Sequence, residues 1–157
     1  RRIRKLAREA AINKAVESRK YVMRMDRLYL TGGRYLDLVP RSNYLIIDGD
    51  IVSASLLYSG YTMGTRPISA IKFTGRIVSY ETDNNDARGI YNISMKVRKG
   101  NDNFDFFINI GSGGSCSFSV VNSYIQSVTY KGEIVPLPET GNSKTVSPQR
   151  IHQVTEF

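Results

Sequence analysis

Along most of this chain apolar residues recur at every second position, the period of a strand with one buried face. The first twenty residues are the exception. They are rich in Ala, contain neither Gly nor Pro, and have high helix propensity. At about 100° per residue Ile3, Leu6, Ala7 and Ala10 share one side, whereas Ile12 and Val16 lie well round from it. The pattern predicts a helix whose second half docks through Ala11, Ile12, Ala15 and Val16. Its first turns then stay solvated, with Arg1, Arg2, Arg4, Lys5 and Arg8 as a basic arm.

The strand pattern starts at Tyr21 and is organised around residues 43–61, NYLIIDGDIVSASLLYSGY. Residues 44–47 form a continuous apolar run. Gly49 follows Asp48 and supplies the positive φ of a tight turn. In the return run Val52, Ala54, Leu56 and Tyr58 share one face, and Ser53 and Ser55 the other, which is expected to be wet. Upstream, residues 21–30 and 34–39 read as strands around a Thr31-Gly32-Gly33 turn, the second ending at Pro40. Residues 59–67 read as a loop. Residues 71–73 and 77–80 form one strand interrupted at Gly75, or two strands bent there. Residues 83–86 (Asp-Asn-Asn-Asp) read as a polar turn.

A hairpin with alternating Tyr91, Ile93, Met95 and Val97, then Phe104, Phe106, Ile108 and Ile110, turns at residues 100–103. Gly111-Ser112-Gly113-Gly114 joins two strands, with no helix or Lys-Ser/Thr after it, so it is a turn and not a phosphate cradle. Strands at 116–121, 124–130 and 133–135 follow, with turns at Asn122-Ser123 and Lys131-Gly132. The whole predicts an all-β fold: an antiparallel curled sheet or partly open, lipocalin-like barrel of about eight to ten strands with one N-terminal helix. Closure is favoured over a sandwich because it removes exposed edges. The divisions are a helix over 1–20, a β domain over 21–136 and a C-terminal tail over 137–157.

Composition narrows the reading. The 157 residues fit one domain, and no apolar run reaches the roughly 18 residues of a membrane-spanning helix. Of the net charge of +8, residues 1–27 carry most: ten Lys/Arg against three Asp/Glu. Charge concentrated in one terminal segment fits a solvated helix or a membrane-proximal arm better than a nucleic-acid groove. The chain opens on Arg1-Arg2, which leads us to expect an upstream segment.

Candidate chemistry is sparse. The single cysteine, Cys116, shares its face with Phe118 and Val120, the place of a buried, inert thiol. The single histidine, His152, lies in the tail, poor geometry for a general base. Asp48 and Asp50 flank a turn glycine and read as turn residues. No metal-ligand set or cofactor motif is legible, so no metal and no cofactor are expected. A distant pair of carboxylates meeting only in the fold would leave room for a hydrolase. Ten tyrosines and no tryptophan make tyrosine the abundant residue of interest. Strand packing explains most of them. Tyr58, Tyr61 and Tyr80, with Arg66, are the candidates for a ligand or partner surface near loops or strand ends.

The order of basic helix, NYLIIDGDIVSASLLYSGY, IKFTGRIVSYE, GIYNISMKV, NFDFFINIGSGGSCSFSV and SVTYKGEI resembles a family of cell-envelope domains of Bacteroidetes-type gut bacteria. This is the domain-of-unknown-function family numbered four thousand two hundred and fifty-one; the resemblance covers residues 10–136. Leu56, Tyr58 and Gly60 match a Leu-Pro-Tyr-aromatic-Gly-Arg-like signature, with Leu57, Ser59 and Tyr61 departing from it. Tyr130, Gly132, Glu133 and Ile134 match a second, Tyr-x-Gly-Glu-Ile. Asn122 keeps the first residue of an Asn-Arg turn and Ser123 replaces the arginine.

The resemblance implies a periplasmic location or a lipid anchor at the outer membrane. The β pattern, the lack of a legible catalytic constellation and the resemblance together lead us to expect a non-enzymatic binding or scaffolding role, the partner being a small apolar ligand or an envelope protein. That role predicts a cavity or apolar groove beside the loop at residues 58–67. The alternatives are a hydrolase of envelope polymers using paired carboxylates, and nucleic-acid binding through the basic arm.

Overall fold

A computed structural model describes residues 2–60, 62, 68–85 and 89–137; of Arg2 and Asn85 only the backbone is described. The order of elements is α1 (Arg2–Ser18), β1 (Lys20–Tyr29), β2 (Tyr35–Asp37), β3 (Tyr44–Asp48), β4 (Ile51–Leu57), β5 (Ala70–Asn85), β6 (Ile90–Lys99), β7 (Asp102–Ile110), β8 (Ser115–Asn122) and β9 (Ile125–Pro136). From β3 onward each strand pairs antiparallel with the next, and β1 pairs with both β3 and β9. The result is a closed up-and-down barrel of eight strands. The short β2 lies beside β1, on the edge that β3 leaves free beyond Arg24.

The alternation dictates what fills the barrel. Tyr21, Met23, Met25, Leu45, Ile47, Val52, Ala54, Ile93, Met95, Val97, Ile108 and Val120 are among the buried residues of one continuous core. Aromatic rings run through it from strand to strand: Phe73 on Phe104 (centroids 4.4 Å apart), Phe106 against Phe118 (5.7 Å), and Phe118 against Tyr130 (5.3 Å). Large side chains pack this barrel as a solid interior, as expected at eight strands.

Closure depends on a glycine. On β9 Gly132 faces Met25, where the β1–β9 register shifts between Met25 and Arg27. A β-carbon at Gly132 would lie 2.0 Å from the Arg24 carbonyl oxygen. Only hydrogen fits there. Lys131-Gly132 is therefore not the turn expected from sequence but the interior of one long strand, whose glycine lets two backbones approach.

Three other expectations change. Residues 83–85 continue β5 and pair with residues 90–92 of β6, so the strand runs on through polar residues whose side chains need no burial; Asp86 lies outside the described residues. The interruption in β5 is a register shift between Ile77 and Ser79, two residues beyond Gly75, within one strand. The face holding Ser53 and Ser55 is not wet: both are buried, and Ser55 Oγ donates to the Ser42 carbonyl at 3.3 Å. The Asp48-Gly49 turn is as expected, with Gly49 at φ +66°.

Helix α1 covers one end of the barrel. Ile12, Ala15 and Val16 are buried against it, while Ala11, expected to dock with them, is exposed. Arg19 ends the helix in a left-handed conformation (φ 56°), and its carbonyl accepts from the N–H of Gly49 at 2.8 Å.

Candidate functional site

The up-and-down order sorts the connections between two ends. At the helix end lie the start of β1, the β3–β4, β5–β6 and β7–β8 turns and the end of β9. Tyr80 reaches from β5 to donate its hydroxyl to the Val16 carbonyl (3.2 Å), and Tyr21 meets the same hydroxyl at 2.8 Å. The Val16 carbonyl, one of the last of the helix, thus accepts from the barrel as well as from the Arg19 N–H at 3.3 Å. The Tyr91 hydroxyl bonds to Asn13 Oδ1. Arg19 lies over the Tyr80 ring, 4.6 Å from its centroid, and pairs with Asp50 at 3.2 Å. Burial raises the Tyr21 and Tyr80 phenols above their ordinary range.

The opposite end is built differently among the described residues. A groove of about 420 Å³ lies there between the start of β5, the β6–β7 turn and the β8–β9 turn. Its apolar wall includes Ile68, Ile71, Phe73, Phe104 and Ile125; Lys72, Lys99, Asp102, Asn122 and Ser123 add polar groups. It sits beside the β4–β5 connection, where Thr62 forms an isolated bridge to Ile125. Of the loop beside which a groove is expected from sequence, residues 61 and 63–67 lie outside the described residues.

Tyr58 sits at this end, but it is buried rather than displayed, with its hydroxyl donating to the Gln126 carbonyl at 2.9 Å. Burial raises its phenol despite that bond. Tyr130 answers by donating to the Leu57 carbonyl at 2.8 Å. The ends of β4 and β9 are thus tied across the barrel by two phenols. A side chain at Gly60 would come within 2.7 Å of the Tyr58 hydroxyl, which accounts physically for the Tyr-x-Gly spacing. The Leu57 N–H donates to Asn43 Oδ1 at 2.7 Å, a bond unavailable to a proline in that position.

Tyr80 lies at the helix end, so the fold does not bring it together with Tyr58. Tyr61, Arg66 and His152 lie outside the described residues. The groove-lining Phe104 and Ile71 were legible in the sequence only as members of inward-facing rows. Their place immediately after a turn and a loop was the available sign that they stand at a barrel mouth.

Among the described residues no cluster of three or more His, Cys, Asp or Glu could hold a metal, and no helix is long and apolar enough to cross a membrane. Cys116 is buried, and loss of solvation, with Glu133 and Asp26 adding to it, pushes its thiol up to about 12. Such a thiol is neutral and unreactive at ordinary pH. Asp48, Asp50 and Glu133 are exposed and paired with Lys20, Arg19 and Arg8. Asp102 is the one carboxylate among the described residues that line the groove.

The fold and its mouth define a small helix-capped up-and-down β-barrel with a groove at the end away from the helix. The model of the family described as "Domain of unknown function (DUF4251)" matches residues 4–134. The chain belongs to that family. It is similar in fold to a solved DUF4251 family protein from Bacteroides eggerthii DSM 20697, with 13% identity and a TM-score of 0.70, over 83% of this chain and 88% of that one. No curated protein matches the chain.

Proposed function

We propose that this domain is a non-enzymatic binding module of the cell envelope, and that its mouth groove takes a small amphipathic ligand. The groove carries the reading. Its volume lies within the range of small-molecule sites, and an apolar wall with a few polar groups at the rim is the composition such sites share. Phe104 stacks on Phe73 there and supplies a flat apolar face. Lys99 and Lys72 at the rim suit an anionic head, and Asp102 limits how much negative charge is welcome.

The hydrolase alternative needs two converging carboxylates, and among the described residues the groove offers Asp102 alone. The envelope location rests on the resemblance.

Anilinonaphthalene sulfonate, an aromatic body with one anionic group, is a suitable probe. Saturable one-to-one binding is expected, with Ala70→Trp, which fills the groove, reducing affinity at least about tenfold. Lys99→Glu is expected to weaken binding mainly at low salt. Binding indifferent to both substitutions, or no binding, overturns the groove assignment. For the location, fractionation of the native host followed by mass spectrometry of the mature N-terminus is decisive. Recovery from the cytosol overturns it.

A further inference from the structure

Helix α1 has two apolar faces, and the barrel uses one. Ile12, Ala15 and Val16 point into the fold and are buried. Ile3, Leu6, Ala7 and Ala10 fall about half a turn away on the helical wheel and are all exposed. Ile3 is 81% and Leu6 59% exposed, the first being the most exposed large apolar side chain among the described residues. Arg4 and Lys5 are exposed on the other side of the same two turns, about 110° and 150° round from the centre of this stripe, with Arg8 one turn on in an exposed pair with Glu133. Arg8 also approaches Gly114 in the β7–β8 turn. The helix therefore crosses the barrel rim near Arg8 and carries its first two turns beyond the packed end.

We propose that the outer face of α1 seats on an anionic lipid surface, with Ile3 and Leu6 entering the head-group boundary and Arg4 and Lys5 paired with lipid phosphates. A phosphate-lined surface with an apolar layer beneath it suits a helix with aliphatic side chains on one face and long cations on the other, whose apolar stems let the charged ends reach back to the phosphates. A nucleic acid would use the cations and leave Ile3 and Leu6 in water. Glu9 and Glu17 are the acidic residues of the helix, and neither lies in its first two turns. Because the groove is at the other end of the barrel, this seating turns the mouth away from the lipid. What the groove holds would then arrive from the aqueous side. The helix proposal stands independently of the ligand.

The chain has no tryptophan, which makes single reporters unambiguous. Leu6→Trp and, at the mouth, Ser123→Trp are to be followed by emission as vesicles are added, either phosphatidylcholine alone or with about one-third phosphatidylglycerol. A blue shift is expected for the Leu6 reporter on anionic vesicles only, with affinity falling at least about tenfold between about 0.05 and 0.5 M NaCl. Ile3→Ser/Leu6→Ser and Arg4→Glu/Lys5→Glu, read by co-sedimentation of the otherwise unlabelled chain, should each reduce binding about tenfold or more. These positions are exposed, and circular dichroism checks that both variants remain folded.

Several outcomes overturn the proposal: no association with anionic vesicles, or a response from the Ser123 reporter in place of the Leu6 one. Binding that survives Ile3→Ser/Leu6→Ser but not charge reversal, and that duplex DNA displaces, makes the arm a general polyanion binder instead. A dimer in solution that Ile3→Ser/Leu6→Ser dissociates assigns the stripe to a second copy of the chain.

Discussion

The two ends of the barrel are built from the same residue type and do opposite things with it. At the helix end Tyr21, Tyr80 and Tyr91 spend their hydroxyls on the helix or on one another, and so hold α1 against the barrel. At the mouth Tyr58 and Tyr130 spend theirs on strand-end carbonyls. That fixes the rim without filling it, and a groove of about 420 Å³ remains beside it. Buried phenols as a rule take a hydrogen-bond partner. Whether such a phenol seals or frames a cavity depends on what the partner belongs to: an added element, or the barrel's own edge.

The largest expected effect removes both ends together. Gly132→Val places carbon against the Arg24 carbonyl at the seam and prevents β1 and β9 from pairing. A loss of more than about 4 kcal/mol is expected, of the size reserved for severe overpacking. Urea denaturation followed by circular dichroism checks it; a cooperative transition within about 1 kcal/mol of the parent would show that closure tolerates a looser seam.

Next comes a matched pair of truncations, one at each end. Ile12→Ala should cost roughly 2–4 kcal/mol, since Ile12 is buried between helix and barrel. Phe104→Ala should cost less, about 1–2 kcal/mol, because Phe104 is only half-buried at the mouth, while probe binding in the groove weakens markedly. Equal losses of stability from the two truncations, with binding unchanged, would erase the distinction between a sealing end and a receiving end.

The smallest effect is one of pH, and it tests the packed interior on which both ends rest. The folded chain holds the Cys116 proton up to about 12 against an ordinary value of 9.0. Stability from this group is fully present below about pH 9 and is lost as pH rises towards 12, at roughly 1.4 kcal/mol per pH unit. The buried phenols add a loss of the same sign above about pH 10. The fall in denaturation midpoint between pH 8 and 10 should be smaller for Cys116→Ala than for the parent, the remainder coming from the buried phenols. If the fall is the same in both, Cys116 does not contribute between those values.

The local pattern made much of the fold legible and the mouth hardly at all. Alternation at 91–97 and 104–110 gave a hairpin in register because inward-facing apolar residues leave a strand one choice of face. The β1–β9 seam carried no such mark, since it joins residues from opposite ends of the β domain. Gly132 misled for a physical reason: a glycine serves a turn by its φ and a seam by its missing side chain, and sequence does not distinguish the two. Tyr58 was singled out as a displayed phenol, and the structure makes it an internal tie. The imperfect amphipathicity of residues 1–20 was informative after all. It recorded two separate apolar faces, of which only one meets the barrel.

The seam also bears on how the chain is made. β1 is synthesised early, and its partner along the closing edge ends at Pro136. Until that residue emerges, β1 and the newest strand both carry unpaired backbone edges, the feature that invites pairing with other chains. Formation of this barrel is therefore a late, long-range event in biosynthesis, and such contacts form slowly. A nascent chain stalled before β9 would be a sheet of paired strands with two open sides. For this domain the hazardous interval is its own translation, and it ends when the last strand meets the first.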